Sequence, residues 1–410
     1  MSPRLLLLTQ YFPPEMGAPQ GRLSELGERL IDRGWQVESL TALPNYPTGK
    51  IFEGYAPHQP RVEDVGRIRT VRVPLIPSKG GFTKRLTSYF SFIAAASWWG
   101  PKLCNRPDLI FVESPPLFIG YAARYLANRW KCPFVFNVSD LWPDSAVDMG
   151  IVRPDSVAVM LASRLERQLY AEAAGITGQT DDIISSVRER SGNKPTAVIT
   201  NSVDAKRFGP DQLDDATRTL IGTEAGPVFI YAGLLGLAQG LDQILDVAKA
   251  LPRESAGRFV LVGDGPVREH LVERVERERL TRVRILPMQP RERVPALLAA
   301  ADAALITLGG KIHGAVPNKI YEAMASSLPI IIVAEGEAVR RVVEVGAGIG
   351  VPPNNTPALL RACQQLIADP AQRARFGEQG RFASETIYSR DRVAEKLDAF
   401  LRGLLTEGLR

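Results

Sequence analysis

Cysteine and histidine are scarce in this sequence, with three of each in 410 residues. Cys104, Cys132 and Cys363 are scattered and share no metal-ligand spacing with the histidines, which excludes zinc and haem signatures. The thiols read as indifferent ones in a reducing compartment. No apolar run reaches the roughly 20 residues needed to cross a bilayer. The four leucines after Arg4 are too few for the apolar region of a signal peptide, so the expected location is the cytoplasm. No short-period repeat is visible. No basic run is interleaved with aromatics, so nucleic acid is not expected as a partner. The net charge of +5 suits a phosphate-bearing ligand or an anionic membrane without deciding between them.

What is present is a repeated alternation of strand and helix. The length suits two α/β domains, and 45% hydrophobic residues suffice for two cores. Residues 4–9 (RLLLLT) form an apolar run of strand length. Leu23, Leu26, Leu30 and Ile31 follow at helical spacing and Gly34 ends that helix. Residues 37–40, 109–112, 134–138, 175–177 and 197–199 read as further buried strands. The alternation pauses over the polar residues 204–227, which read as a linker. It restarts with strands at 228–232, 259–262, 283–286, 303–307 and 330–333, and the last hundred residues are largely helical. Continuous apolar strands between helices predict parallel sheets covered on both faces. The expected organisation is an N-terminal Rossmann-like domain (1–203), the linker (204–227), a C-terminal Rossmann-like domain (228–385) and a final helix (386–410) returning to the first domain. Two such domains leave a cleft at the carboxyl ends of their strands.

Four constellations could carry chemistry. Gly17-Ala18-Pro19 opens a helix after the first strand, as an anion cradle or as a plain turn. YAGLLG (231–236), continuing to Gln239-Gly240, places Gly236 where a backbone could reach a diphosphate, and it is not the dinucleotide fingerprint. Gly263, in VGDGP, marks either a tight turn or a ligand contact. The fourth is HGAVPNKIYEAMA (313–325). Pro317 suits a helix start. Lys319 then lies in a first turn, where a cation opposes the helix dipole and implies an anionic partner. Glu322 shares its face and could take ribose hydroxyls, the alternative being a surface salt bridge with Lys319. Separately, residues 91–101 (SFIAAASWWGP), preceded by Lys79, Lys84 and Arg85, form either a core helix or a membrane-facing surface carrying Trp98 and Trp99.

Taken together, YEAMASSLPII, PPEMGAP, PNYPTG, SPPL, DLWPDSAVDMG, NSVD, YAGLLGLAQGL and LVGDGP resemble the GT4 family of retaining glycosyltransferases over nearly the whole chain. The nearest branch builds bacterial surface polysaccharide and includes transferases of N-acetylaminosugars such as fucosamine. The resemblance implies the GT-B fold, two Rossmann-like domains facing each other across a cleft. It implies a nucleotide-sugar donor, UDP-linked by expectation, in the C-terminal half. Glu322 would hold the ribose, Gly236 and Lys319 would contact the diphosphate, Gly263 would be a further contact to the nucleotide, and Gly17 would close over the phosphates. The acceptor, lipid-linked or saccharide, would bind the N-terminal half, at the cytoplasmic membrane face. No metal cofactor is implied, and no Asp-x-Asp occurs. Leaving-group charge must then be neutralised by Lys, Arg and backbone N–H groups.

The departures from the family pattern are specific. Leu234 and Gln239 stand where the family often has cations, which raises the weight on Lys319. Gly314 stands where the family has its first glutamate, and His313 is the candidate replacement beside the donor sugar. Ser139 precedes Asp140 where many relatives have His, leaving Asp140 as either the group that activates the acceptor hydroxyl or a hydrogen-bond anchor. A sugar-nucleotide epimerase or a catalytically silent nucleotide-binding relative are the alternatives to a transferase.

Overall fold

Four consecutive leucines set the first layer. In β1 (Arg4–Leu8), Leu5 and Leu7 enter one core and Leu6 and Leu8 another, so the strand is central and covered on both faces. The computed structural model describes residues 2–15, 17–78, 82–148, 150, 152–222, 226–252, 254–309, 314 and 316–407. The chain divides into two compact units, residues 1–200 with 390–410, and residues 201–389.

The first unit runs β1, α1 (Ala18–Asp32), β2 (Gln36–Ala42), β3 (Arg61–Val65), β4 (Ile68–Val73), α2 (Phe82–Leu103), β5 (Leu109–Ser114), α3 (Ile119–Trp130), β6 (Phe134–Val138), α4 (Asp144–Asp148), α5 (Val157–Glu172), β7 (Gly175–Gly178), α6 (Asp181–Ser191) and β8 (Thr196–Val198). Its strand order is β3-β4-β2-β1-β5-β6-β7-β8, parallel except for β3 against β4. The hairpin β3–β4 and the last strand of the second sheet escape the apolar-run reading. The sequence of β3, RVEDV, is largely exposed at the sheet edge and carries charges rather than a buried face.

The second unit comprises α7 (Asp215–Ile221), β9 (Val228–Ala232), α8 (Asp242–Ala250), β10 (Arg258–Val262), α9 (Arg268–Arg277), β11 (Val283–Leu286), α10 (Val294–Ala299), β12 (Ala303–Thr307), α11 (Asn318–Ala325), β13 (Ile330–Val333), α12 (Glu337–Glu344), β14 (Gly348–Val351), α13 (Thr356–Ala368) and α14 (Pro370–Thr386). Its six strands are parallel in the order β11-β10-β9-β12-β13-β14. The last helix, α15 (Arg390–Glu407), belongs to the first unit. Ala394, Leu397, Leu401 and Leu404 are buried there, and Asp398 accepts from Trp35 Nε1 at 2.6 Å.

The stretch 204–227 is not a linker. It carries two 3-10 turns and α7 within the second unit, and Thr217 and Ile221 are buried. Its polar residues cap helices: Asp204 accepts from Lys206 N–H at 3.2 Å, and Asp214 from Thr217 N–H at 2.7 Å. Asp and Gly at helix ends have the composition of a linker, which is why sequence alone misreads them. The SFIAAASWWGP stretch lies in α2. Phe92 and Ala96 are buried, Trp99 packs partly against the core, and Trp98 is 64% exposed. Lys79 lies outside the described residues.

Candidate active site

In the second unit the loops after β9, β10 and β12 converge. Gly233 N–H donates to Val262 O and Leu235 N–H to Asp264 O, both at 2.8 Å, while Gly309 N–H donates to Ala238 O at 2.7 Å. A Cβ on Gly263 would meet Gly233 O at 1.8 Å. Gly263 is therefore a glycine because two backbones touch there, a packing demand that composition does not distinguish from a ligand contact.

Lys319 enters this crest from the first turn of α11. Its Nζ donates to Tyr231 Oη at 2.8 Å and lies 3.9 Å from that ring's centroid. Tyr231 Oη in turn donates to Leu234 O at 2.7 Å, and burial pushes the phenol pKa up. Gly233 makes the arrangement possible. Its φ is 142°, and a Cβ would sit 2.4 Å from Lys319 Nζ. Burial lowers the Lys319 pKa to about 8, opposed only in part by Glu322 one turn along. The ammonium is thus poorly hydrated and stacked on a neutral phenol, a poised anion site. Gly236 precedes the 3-10 turn Leu237–Gln239, and Gln239 Oε1 occupies the space its Cβ would take. Leu234 is exposed beside it.

In the first unit a polar network sits at the carboxyl ends of β5, β6 and β7. The buried Glu113 accepts from Arg22 Nη2 with both oxygens, at 2.8 and 2.7 Å, and from Asn137 Nδ2 at 2.7 Å. Ser139 Oγ donates to the same carboxylate and accepts from Gln179 Nε2 at 2.7 Å. Thr177 Oγ1 donates to Asn137 Oδ1 at 2.7 Å. Burial raises the Glu113 pKa against the opposing pull of Arg22. Next to Ser139, the half-buried Asp140 accepts from Ser145 Oγ at 3.0 Å. Burial, aided by Asp148, lifts its pKa, which suits a base. Gly17 is the N-cap of α1, extended at φ 174°.

Two family models match this chain in succession. The one described as "Glycosyl transferase 4-like domain" covers residues 17–202, and "Glycosyl transferases group 1" covers residues 220–382. The chain is 30% identical over 308 residues to "Probable glycosyltransferase WbjE" of Pseudomonas aeruginosa, covering 74% of this chain and 76% of that one. The chain belongs to the GT4 family of glycosyltransferases. This glycosyltransferase is also 25% identical over 382 residues to "Putative colanic acid biosynthesis glycosyl transferase WcaI" of Escherichia coli (strain K12), covering 90% and 93% of the two chains. Among solved structures, Anabaena HepE in complex with UDP has a TM-score of 0.73 at 16% identity, over 98% of this chain and 100% of that one. The glycosyltransferase has the GT-B fold.

Of the residues expected from sequence, the structure brings Lys319, Glu322, Gly236 and Gly263 to one crest of the second unit. Gly17 and Asp140 belong to the first. His313 lies outside the described residues. Gly314 is buried with φ 70°, a left-handed conformation that a glutamate would adopt only under strain. Sequence reasoning missed Tyr231, Gly233 and the Glu113–Arg22 pair. The signal for the first two was present in YAGLLG as an aromatic hydroxyl two residues before a glycine. Among the described residues no group of three or more His, Cys, Asp or Glu side chains is placed to hold a metal ion. Burial raises the thiol pKa of Cys104 and Cys363 to about 12 and of Cys132 to about 11, leaving no cysteine nucleophile near neutral pH.

Proposed function

We propose that this glycosyltransferase moves an N-acetylated aminosugar, with retention, from a UDP donor to a lipid-linked saccharide during surface-polysaccharide synthesis. It works at the cytoplasmic membrane face and without a metal. The observation that carries this reading is Lys319: a desolvated ammonium packed against a glycine loop, whose natural complement is a diphosphate. Lys319 would neutralise the departing UDP and Glu322 would hold its ribose. Gly236 would offer its backbone to the diphosphate, and Gly17 would close over the phosphates. The bound UDP of HepE and the polysaccharide named for WcaI support the donor and the pathway class. The amino sugar rests on the sequence resemblance.

Calorimetric titration with UDP, GDP and TDP, with and without chelator, tests the proposal. UDP should bind in the presence of chelator. A diphosphate selects the charged form of Lys319, so binding takes up a proton and affinity falls as pH rises through about 8. By that linkage, the affinity at pH 9 should be about tenfold weaker than at pH 7. No nucleotide binding at any pH would defeat the reading. Glu322→Ala should weaken UDP roughly ten- to a hundredfold, the worth of a hydrogen-bonded carboxylate, while uridine 2′,3′-dideoxy analogues should bind both proteins alike. Asp140→Asn should leave UDP affinity unchanged and lower kcat for transfer by roughly 10²–10⁴ if the carboxylate takes the acceptor proton. A kcat within twofold of wild type would return Asp140 to a structural anchor.

A further inference from the structure

The first unit contains an apolar cavity of about 270 Å³ that the donor chemistry does not use. Leu86 and Phe90 of α2, Phe118 before α3, Trp142, and Leu161 and Leu165 of α5 form much of its wall. The three aromatics run in contact, with ring centroids 5.2 Å apart from Phe90 to Phe118 and 6.0 Å from Phe118 to Trp142. At about 270 Å³ the cavity lies just below the roughly 300–1,000 Å³ typical of small-molecule pockets, and its lining is almost wholly apolar.

Its surroundings are also apolar, and exposed. α5 is hydrophobic all round in its first turns: Val157, Met160 and Leu161 face solvent while Ala162 and Leu165 face the core. On α2, Phe90, Ala94 and Trp98 form an outward stripe at a spacing of four. Lys102 closes it, with Nζ 3.4 Å from the Trp98 ring centroid. Tyr121 and Tyr125 continue the exposed surface on α3. A contiguous patch of this kind marks a binding surface. On α2 and α3 its charge is of one sign, while the α5 carboxylates Glu166 and Glu172 are paired with Arg190 and Arg124. Neither α2 nor α3 contains a carboxylate, and Lys84, Arg85, Lys102 and Arg129 are all exposed. An anionic amphiphile fits both features, its chain in the cavity and its phosphate against the cations.

The position selects which amphiphile. Trp142 and Pro143, both in the cavity wall, follow Asp140 by two and three residues. A chain in the cavity therefore lies against the segment that carries the candidate acceptor base. We infer that the cavity between α2, α3 and α5 binds the hydrocarbon chain of the lipid-phosphate acceptor, which holds the acceptor saccharide at Asp140. This rests on the lipid-linked acceptor proposed above.

The test titrates the full chain by calorimetry with farnesyl phosphate, inorganic phosphate, phosphatidylglycerol vesicles and UDP. The variant Ala158→Trp fills the cavity from an exposed position of its wall, so the fold should survive, as intact UDP affinity would verify. Farnesyl phosphate should bind at least tenfold more tightly than inorganic phosphate. Ala158→Trp should weaken it at least tenfold without changing UDP affinity. UDP binding with no farnesyl phosphate binding, or with equal binding by the variant, would overturn the inference and leave the transferase reading standing. A variant that loses vesicle binding but keeps farnesyl phosphate would also overturn it, in favour of a membrane-docking face alone. Loss of UDP binding in the wild type would instead defeat the functional proposal.

Discussion

Replacing Lys319 by methionine should lower kcat for sugar transfer by roughly 10²–10³-fold, the usual cost of removing one preorganised charge from a developing anion. The effect should be at the upper end of that range because the loop that Lys319 packs against, residues 233–240, carries no cation. Leu234 and Gln239 occupy the places where relatives often carry cations, and Leu234 is exposed and apolar. The fold should not suffer. Burial holds the Lys319 pKa near 8, so the folded state disfavours the ammonium and loses little when a neutral thioether takes its place. The melting temperature of Lys319→Met should match or exceed that of the wild type. The alkaline fall in nucleotide affinity should disappear with the lysine. A folded variant with unchanged kcat would remove Lys319 from the reaction. A fall in kcat with a retained alkaline limb would assign the titration to another group.

The second large effect is on stability. Glu113→Ala should destabilise the first unit by about 3–5 kcal/mol, the cost of leaving a buried charge without its partner. Arg22 is the partner. Both side chains are almost fully buried and share a 2.7 Å contact. Arg22 Nε and Nη1 already lack partners among the described residues, so Nη2 carries the compensation. Removing the carboxylate also strips an acceptor from Asn137 and Ser139. For a unit of this size the melting temperature should fall on the order of 10 °C, given about 2–4 °C per kcal/mol. Differential scanning calorimetry would measure it. The double variant Arg22→Met, Glu113→Leu should recover part of the loss, because it removes both charges and keeps the volume. A Glu113→Ala protein that melts with the wild type would show the pair to be solvated and the network dispensable.

The site was partly legible in the sequence. A lysine in the first turn of a helix works against the dipole, so its presence there implied an anion, and α11 does begin at Asn318. The glycine loops were legible as turns. Their reasons were not: Gly233 makes room for Lys319, and Gly263 makes room for the Gly233 carbonyl. Trp98 and Trp99 are adjacent and chemically identical, yet one faces solvent and the other packs partly on the core, because neighbouring positions on a helix point about 100° apart.

The sequence by itself determined the α/β class, the two successive sheets and most of their buried strands. Apolar runs and helical periodicity are local properties, and a strand buried on both faces must be apolar at every position. Only the tertiary structure decided which groups meet. Tyr231 and Lys319 are 88 residues apart, and Arg22 and Glu113 are 91 apart. Each pair is joined by the order of strands in a sheet, β9 beside β12 in one case and β1 beside β5 in the other. Local periodicity carries no information about that order. The apolar cavity likewise exists only because α2, α3 and α5 converge around Trp142 without filling the space between them.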